Sequence, residues 1–407
     1  MFVLAQMAGP TEWSVYEKVD LSVGFVISDL QTITERRKMM EKGKISSLQM
    51  AFMMYPTIVA TAILGVPSIT AKYAKTDLWL SPILASLIGY VTVYIAYKLH
   101  KIYPKQTVIQ FSEQIIGRIP GKILGFLFLF FYIPITGQIL RSYGEFIVDS
   151  FLVKTPISVI MASMVLLCAF IVRGGIEVLG RAAQLFVPMF IFPILLLIVL
   201  LGPDLEFKNI FPILGNGIMP PIKGSIVPGG WFSEFFLIIF LLPFLTDMKK
   251  GMKSGMMSVF AVMMTLVVVN LLVLFVLGST TATKNYPLMN VSRYISLADF
   301  FEHLESAIMA VWIVGAFVKI SVFYYAAALG TAQWLNLSDY RPVIWPIGIL
   351  IVEFSFWSYP SSMDVNRFDI IAFPIYGVLM QTIIPLLLLV IAVIRKRKRQ
   401  GKGSNSS

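Results

Sequence analysis

Cysteine occurs once in 407 residues, at Cys168, which excludes an internal disulfide and any cysteine-rich metal centre. Histidine occurs twice, at His100 and His303, far apart in segments that read as surface loops, so no histidine metal site is expected. Signatures of hydrolytic chemistry are missing too: there is no His-Glu-x-x-His, no Gly-x-Ser-x-Gly and no cysteine–histidine pair. Gly117-Arg118-Ile119-Pro120-Gly121-Lys122 superficially resembles a phosphate loop, but its spacing is one short, proline interrupts it and no strand precedes it. Neither an enzyme nor a cofactor is expected.

Charge is scarce as well. Asp, Glu, Lys and Arg make up 14% of the chain, against about 25% in soluble domains. Hydrophobic residues make up 57%, and mean hydropathy is +0.81. The class is therefore a multispanning, all-α membrane protein. Apolar windows of about 20 residues, the length that crosses a bilayer core, recur ten times. They lie near 48–66, 80–99, 121–147, 155–172, 182–201, 229–248, 256–278, 307–332, 342–359 and 370–394. Residues 1–44 form a polar N-terminal segment, 45–394 the membrane domain and 395–407 a basic tail. The first segment lacks the pattern of a cleaved signal. Met39-Met40-Glu41-Lys42-Gly43-Lys44 reads as a natural beginning for a membrane protein, so synthesis is expected to start at Met39 or Met40.

The formal net charge is +11, but its placement argues against nucleic acid. With ten spans and both termini cytoplasmic, 23 of the 33 Lys and Arg residues fall in inside segments and 8 in outside loops. Arg141 and Lys319 lie within spans. That bias is a topology signal, with some contact to anionic lipid. Two connections stand out. Residues 100–120 read as a short amphipathic helix on the cytoplasmic surface, and 279–306 as a long outside loop with helical turns.

The first span contains Pro56-Thr57-Ile58-Val59-Ala60-Thr61-Ala62-Ile63-Leu64-Gly65-Val66-Pro67, which is not expected to be a uniform helix. Backbone groups freed at membrane depth survive only where protein or a polar cavity surrounds them. Two readings follow: a proline-kinked helix packed through small residues, or a ligand site. The sixth span carries a matching interruption, from Pro228-Gly229-Gly230-Trp231-Phe232-Ser233-Glu234 to Leu242-Pro243-Phe244. Paired interrupted helices at corresponding positions are a mark of transporters built from inverted repeats.

Ionisable residues inside spans are costly unless paired or wet. Glu234 lies in the sixth span and Lys319 near the middle of the eighth. Lys319 is either a structural cation held by carbonyls or a carboxylate, or a functional one. Arg141 and Glu145 in the third span are four apart and share a face, so they can pair, as an interface ion pair or as part of a site.

These features come with a resemblance. Lys42-Gly43-Lys44-Ile45-Ser46-Ser47-Leu48-Gln49, Ile63-Leu64-Gly65-Val66-Pro67, Tyr103-Pro104-Lys105-Gln106-Thr107-Val108 and Ile115-Ile116-Gly117 are four of its pieces. Arg173-Gly174-Gly175-Ile176-Glu177-Val178-Leu179-Gly180-Arg181, the Glu234…Leu242-Pro243-Phe244 segment and Phe317-Val318-Lys319-Ile320-Ser321 complete the set. In this order and spacing, from about residue 42 to 394, the chain resembles the spore-germination permeases. These are the B-type subunits of germinant receptors, within the amino acid–polyamine–organocation transporter superfamily.

The resemblance implies a ten-helix, five-plus-five inverted-repeat fold of the leucine-transporter type with broken helices 1 and 6. It implies a small solute, such as an amino acid, held between helices 1, 3, 6 and 8. It also implies an A-type membrane subunit and a C-type lipoprotein as partners, in the inner membrane of the spore. On that frame ligand contact is expected from Thr61, Ala62 and Gly65, and from Trp231, Phe232 and Ser233. Trp231 also reads as an interfacial anchor. Ala60 and Ala62 replace the glycines usual in the family's first break, so a tighter pocket is expected. The alternative function is a secondary transporter of an amino acid or similar solute, with Lys319 replacing a coupling cation and its protonation linking transport to a proton gradient.

Overall fold

A computed structural model describes residues 41–293, 304–358 and 361–404. The expected start at Met39 or Met40, most of the polar N-terminal segment and His303 lie outside the described residues. Among those described, nine helices are long and apolar enough to cross a membrane. They are α1 (Ser47–Ala74), α2 (Leu80–Ile102), α3 (Arg118–Ser150), α4 (Ile157–Gly174), α5 (Ile176–Leu200), α6 (Met219–Phe244), α7 (Met248–Leu277), α8 (Leu304–Trp334) and the last helix, α10 (Met363–Lys396). The remaining expected span is α9 (Arg341–Trp357), whose 17 residues sit at the short end of what can cross. The chain is a multi-pass membrane protein.

At the centre α1 and α6 pack against each other, with α7 against α1 and α2 against α6. On the other side α8 lies on α1 and α3, while α9 covers α3. Exposure follows this order: α1, α6 and α8 are mostly buried, whereas α5 and α10 present leucine, isoleucine and phenylalanine outward, as lipid-facing helices do.

The two proline-bearing helices differ from each other. Residues Ser47–Ala74 form one continuous helix, so the break expected at Pro56–Pro67 is not an unwound segment. Each proline removes a single rung, and hydroxyls occupy neighbouring carbonyls. Thr57 Oγ1 donates to Met53 O at 2.7 Å and Ser68 Oγ to Gly65 O at 3.1 Å. Alanine at 60 and 62 favours the helical state that glycine would weaken. The close approach of α1 and α8 is instead carried by Gly315, where an added Cβ would lie 3.1 Å from the Ala60 methyl and 2.6 Å from Phe190.

The sixth span is helical throughout but changes type along its length. Helix Met219–Ser233 passes into a 3₁₀ segment Glu234–Leu237, one α turn Ile238–Leu241 and a second 3₁₀ segment Leu242–Phe244. Mid-helix 3₁₀ marks strain or a hinge. Here it falls where a carboxylate, Glu234, enters the interior.

One end of α1 is clamped. Ile45 N donates to Phe244 O at 3.0 Å and Thr246 N to Ile45 O at 2.9 Å, bridging the start of α1 to the end of α6. Asp247 accepts from Ser47 N and Oγ at 2.6 and 2.8 Å. Burial opposes the charged form of Asp247, but these bonds and Lys250 hold its carboxyl below the ordinary Asp range.

The expected amphipathic helix is present at Val108–Ile116. A Thr107–Gln110 capping box opens it, and Val108, Ile109, Phe111, Ser112 and Ile115 form its buried face. Gly117, at φ 102°, ends it, and at Gly121 a Cβ would fall 2.3 Å from the Glu113 backbone, so glycine lets α3 leave in contact with it. The later loop carries a helix at Pro287–Ser292. His100, expected in a surface loop, is instead buried in the last turn of α2, because that helix runs on to Ile102.

Candidate functional site

A cavity of about 230 Å³ lies beside the middle of α1. Its walls come from α1, α3, α6, α8 and α10, with residues 282–286 after α7 across one end. Lys72, Thr283 and Asn285 at that end are exposed, so the cavity communicates with the surface there. Towards the other end of α1, Tyr55, Pro56, Thr57, Ile58 and Val59 are buried and close the path.

Among the expected ligand residues, Thr61, Gly65 and Trp231 line this cavity. Thr61 Oγ1 is buried and makes no hydrogen bond. Trp231 is 6% exposed and stands 6.1 Å from Phe373, ring centre to ring centre, so it is an interior residue rather than an interfacial anchor. Ala62, Phe232 and Ser233 are not in the lining. Ala62 is in the helix packing. Phe232 faces Gly89 of α2, where an added Cβ would meet it at 3.0 Å. Ser233 Oγ donates to Gly230 O at 2.6 Å and accepts from Gln381 at 3.2 Å. Each step along a helix turns the side chain by about 100°, and at these three positions the turn carries it into packing with other helices.

The intramembrane charges form two pairs. Lys319 Nζ donates to Glu234 Oε2 at 2.6 Å, with side chains 0% and 1% exposed. Lys319 also sits 5.4 Å from the centre of the Phe323 ring. Glu234 reaches the cavity wall with the lysine behind it. The lysine, left open by the sequence between carbonyls and a carboxylate, therefore answers a carboxylate in the first 3₁₀ segment of α6. Arg141 Nε donates to Glu145 Oε1 at 2.8 Å, one turn apart on α3, and Glu145 also lines the cavity.

A third acid, Asp369, also lines the cavity. It lies on a π-helical segment, Phe368–Ala372, inside α10; a second follows at Leu379–Ile383. Such turns widen the helix and often occur at functional sites. Gln138 Nε2 donates to Asp369 Oδ1 at 2.8 Å and to Ser142 Oγ at 3.0 Å. No sequence signal marked Asp369: it stands beside a polar run, Asp364 to Arg367, and reads as the wet edge of a span.

Aromatic rings complete the enclosure. Phe146 meets Trp312 at 4.6 Å and Tyr286 at 5.2 Å, both edge to face. Burial, with the nearby Asp149 and Glu145 carboxylates, raises the Tyr286 phenol above its ordinary range, so it presents a neutral hydroxyl. The result is a small chamber with aromatic walls, the unpartnered Thr61 hydroxyl and three carboxylates, suited to a small polar solute with an apolar part.

The comparisons with known proteins agree with this architecture. The chain is 12% identical to MhsT in complex with L-phenylalanine, with a TM-score of 0.58, over 87% of this chain and 99% of that one. A Na⁺-coupled sialic acid symporter in a substrate-bound outward-open state matches at a TM-score of 0.55 and 12% identity, over 80% and 78%. At these identities the likeness establishes the leucine-transporter-type fold. In sequence, the chain is 27% identical over 369 residues to spore germination protein KB of Bacillus subtilis (strain 168), covering 89% of this chain and 98% of that protein. It is 26% identical over 371 residues to spore germination protein YndE of the same organism. The family model described as spore germination protein matches residues 44–363. With most of its length covered by that model, the chain belongs to the spore germination protein family.

Proposed function

We propose that the chain is the nutrient-sensing subunit of a spore germination receptor and binds a small solute, such as an amino acid, in the cavity between α1, α3, α6, α8 and α10. The observation that carries this reading is the cavity itself: about 230 Å³ beside α1, with an unpartnered Thr61 hydroxyl and the Glu234 carboxylate in its wall. In transporter folds with broken helices, solutes bind near mid-membrane between those helices. Family membership supports a place beside an A-type membrane subunit and a C-type lipoprotein, in the inner membrane of the spore. The Lys and Arg bias supports both termini on the spore-core side, which puts the Lys72 end of the cavity outside.

The test is a nutrient dose–response in spores carrying Thr61→Val or Trp231→Ala at normal receptor abundance. A shift to higher nutrient concentration is expected for both. Unchanged responses in both variants would move the binding site elsewhere.

The Glu234–Lys319 pair favours a second reading, proton-coupled transport, because a buried acid–base pair at the 3₁₀ segment of α6 can exchange a proton as the helices rearrange. Uptake in proteoliposomes that follows a pH gradient and disappears in Lys319→Ala is its expected signature. Binding without flux would leave the receptor reading alone.

A further inference from the structure

Among the acids in the cavity wall, Asp369 is the one with no cation in direct contact among the described residues. Arg141 is opposed by Glu145 at 2.8 Å, and Lys319 by Glu234 at 2.6 Å. Asp369 stands in the field of Lys319, Glu234 and Glu145, which is one cation and two anions. Among the described residues its hydrogen-bond partner is the neutral amide of Gln138. Asp369, Glu234 and Lys319 thus place two carboxylates against one ammonium, and that ammonium is already in contact with Glu234. A partly buried carboxylate without a cation in direct contact is costly, and a cation that reaches it gains a charge-assisted hydrogen bond.

The surroundings narrow what that cation can be. Phe373 follows Asp369 by one turn of α10 and carries Trp231 against it, at 6.1 Å between ring centres. Aromatic faces beside a carboxylate favour an organic ammonium. At the exposed end, Lys72 and Lys284 line the same cavity and offer positive charge to an anionic group. A chamber whose wall carries both an acid and amines matches a zwitterion.

We propose that Asp369 is the ammonium-binding group of this cavity, so that its ligand is an amine-bearing solute: an α-amino acid, with its carboxylate towards Lys72 and Lys284, or a primary amine. The proposal rests on the cavity being a small-solute site and specifies the chemistry of what enters.

The experiment is thermal stabilisation of the purified full-length protein by three probe sets: the L-amino acids, their decarboxylated amines, and their deaminated carboxylic acids. A set of neutral sugars serves as a fourth. Each is run in sodium buffer and in N-methylglucamine buffer. The expected result is stabilisation by at least one amine-bearing probe, in both buffers, and at least tenfold weaker binding by its deaminated counterpart, the scale of one charge-assisted bond. Asp369→Asn should weaken the amine-bearing probe by a similar factor, and Asp369→Glu should restore part of it. Since the probe comparison uses the unmodified protein, a variant that fails to fold does not decide the outcome. Deaminated acids or sugars binding as well as amines would overturn the proposal while leaving a solute site in place. Binding of deaminated acids that requires sodium would assign the counter-charge to a metal ion and also overturn it. If no probe of any set binds, the small-solute reading falls together with this one.

Discussion

Two ion pairs border the cavity, and their construction differs. Arg141 and Glu145 sit one turn apart on a single helix, about a tenth exposed, so α3 alone determines their contact. Glu234 and Lys319 come from α6 and α8, are fully enclosed, and meet only when those helices are packed. The first pair can form wherever α3 is helical. The second reports the arrangement of the whole bundle, because either partner left alone in the interior is an unmatched charge. A conformational change that separates α6 from α8 must therefore move a proton or admit a counter-ion, whereas one that moves α3 carries its pair along intact.

The largest expected effect comes from Lys319→Ala. Leaving Glu234 buried and unmatched should cost about 3–5 kcal/mol, read as a loss of monodisperse protein or a fall in the thermal midpoint. Replacing both partners, as Glu234→Leu with Lys319→Met, should recover most of that loss, because matched apolar groups avoid the desolvation cost. A double variant no more stable than Lys319→Ala would show that the pair is not self-compensating.

Glu145→Ala tests the other pair and should cost about 1 kcal/mol, since Arg141 can still reach water. A cost as large as that of Lys319→Ala would erase the distinction between the pairs. Thr61→Val should change stability by less still, because its hydroxyl has no partner to lose, while the nutrient response shifts. Thermal melts and dose–response curves on the same preparation separate the two effects.

The smallest effect concerns Asp247, a carboxylate held outside the membrane spans by Ser47. Its folded value is depressed, so its contribution is present above the ordinary Asp range and lost as pH falls through the folded value. Melts from about pH 6 to about pH 3 should show a slightly shallower acid decline in Ser47→Ala than in the parent protein. Equal declines would mean that this clamp does not depend on charge.

Much of this was legible in the residue order. The apolar windows coincide with the helices because hydrocarbon admits no other backbone solution at that length. The irregularity of α6 was legible only in part: Pro243 lies in a 3₁₀ segment, whereas Pro228, Gly229 and Gly230 stay inside the regular helix Met219–Ser233. The interruption of α1 was misread for a physical reason: two prolines remove two rungs, but alanines between them keep the intervening turns helical. Of the residues expected at the site, Thr61, Gly65 and Trp231 line the cavity, whereas Ala62, Phe232 and Ser233 lie outside its lining. Adjacent residues on a helix point to different neighbours, and only the positions of α2 and α10 reveal which ones.

The sequence by itself determined that this chain crosses a membrane many times, that its sixth helix cannot stay regular, and that Arg141 can meet Glu145. Those are local matters of hydropathy, backbone chemistry and helical spacing. Tertiary structure alone decided that Lys319 meets Glu234, 85 residues away, and that Asp369 turns inward beside them. Neither follows from spacing, because each depends on how separate helices pack and, for Asp369, on a π turn in α10.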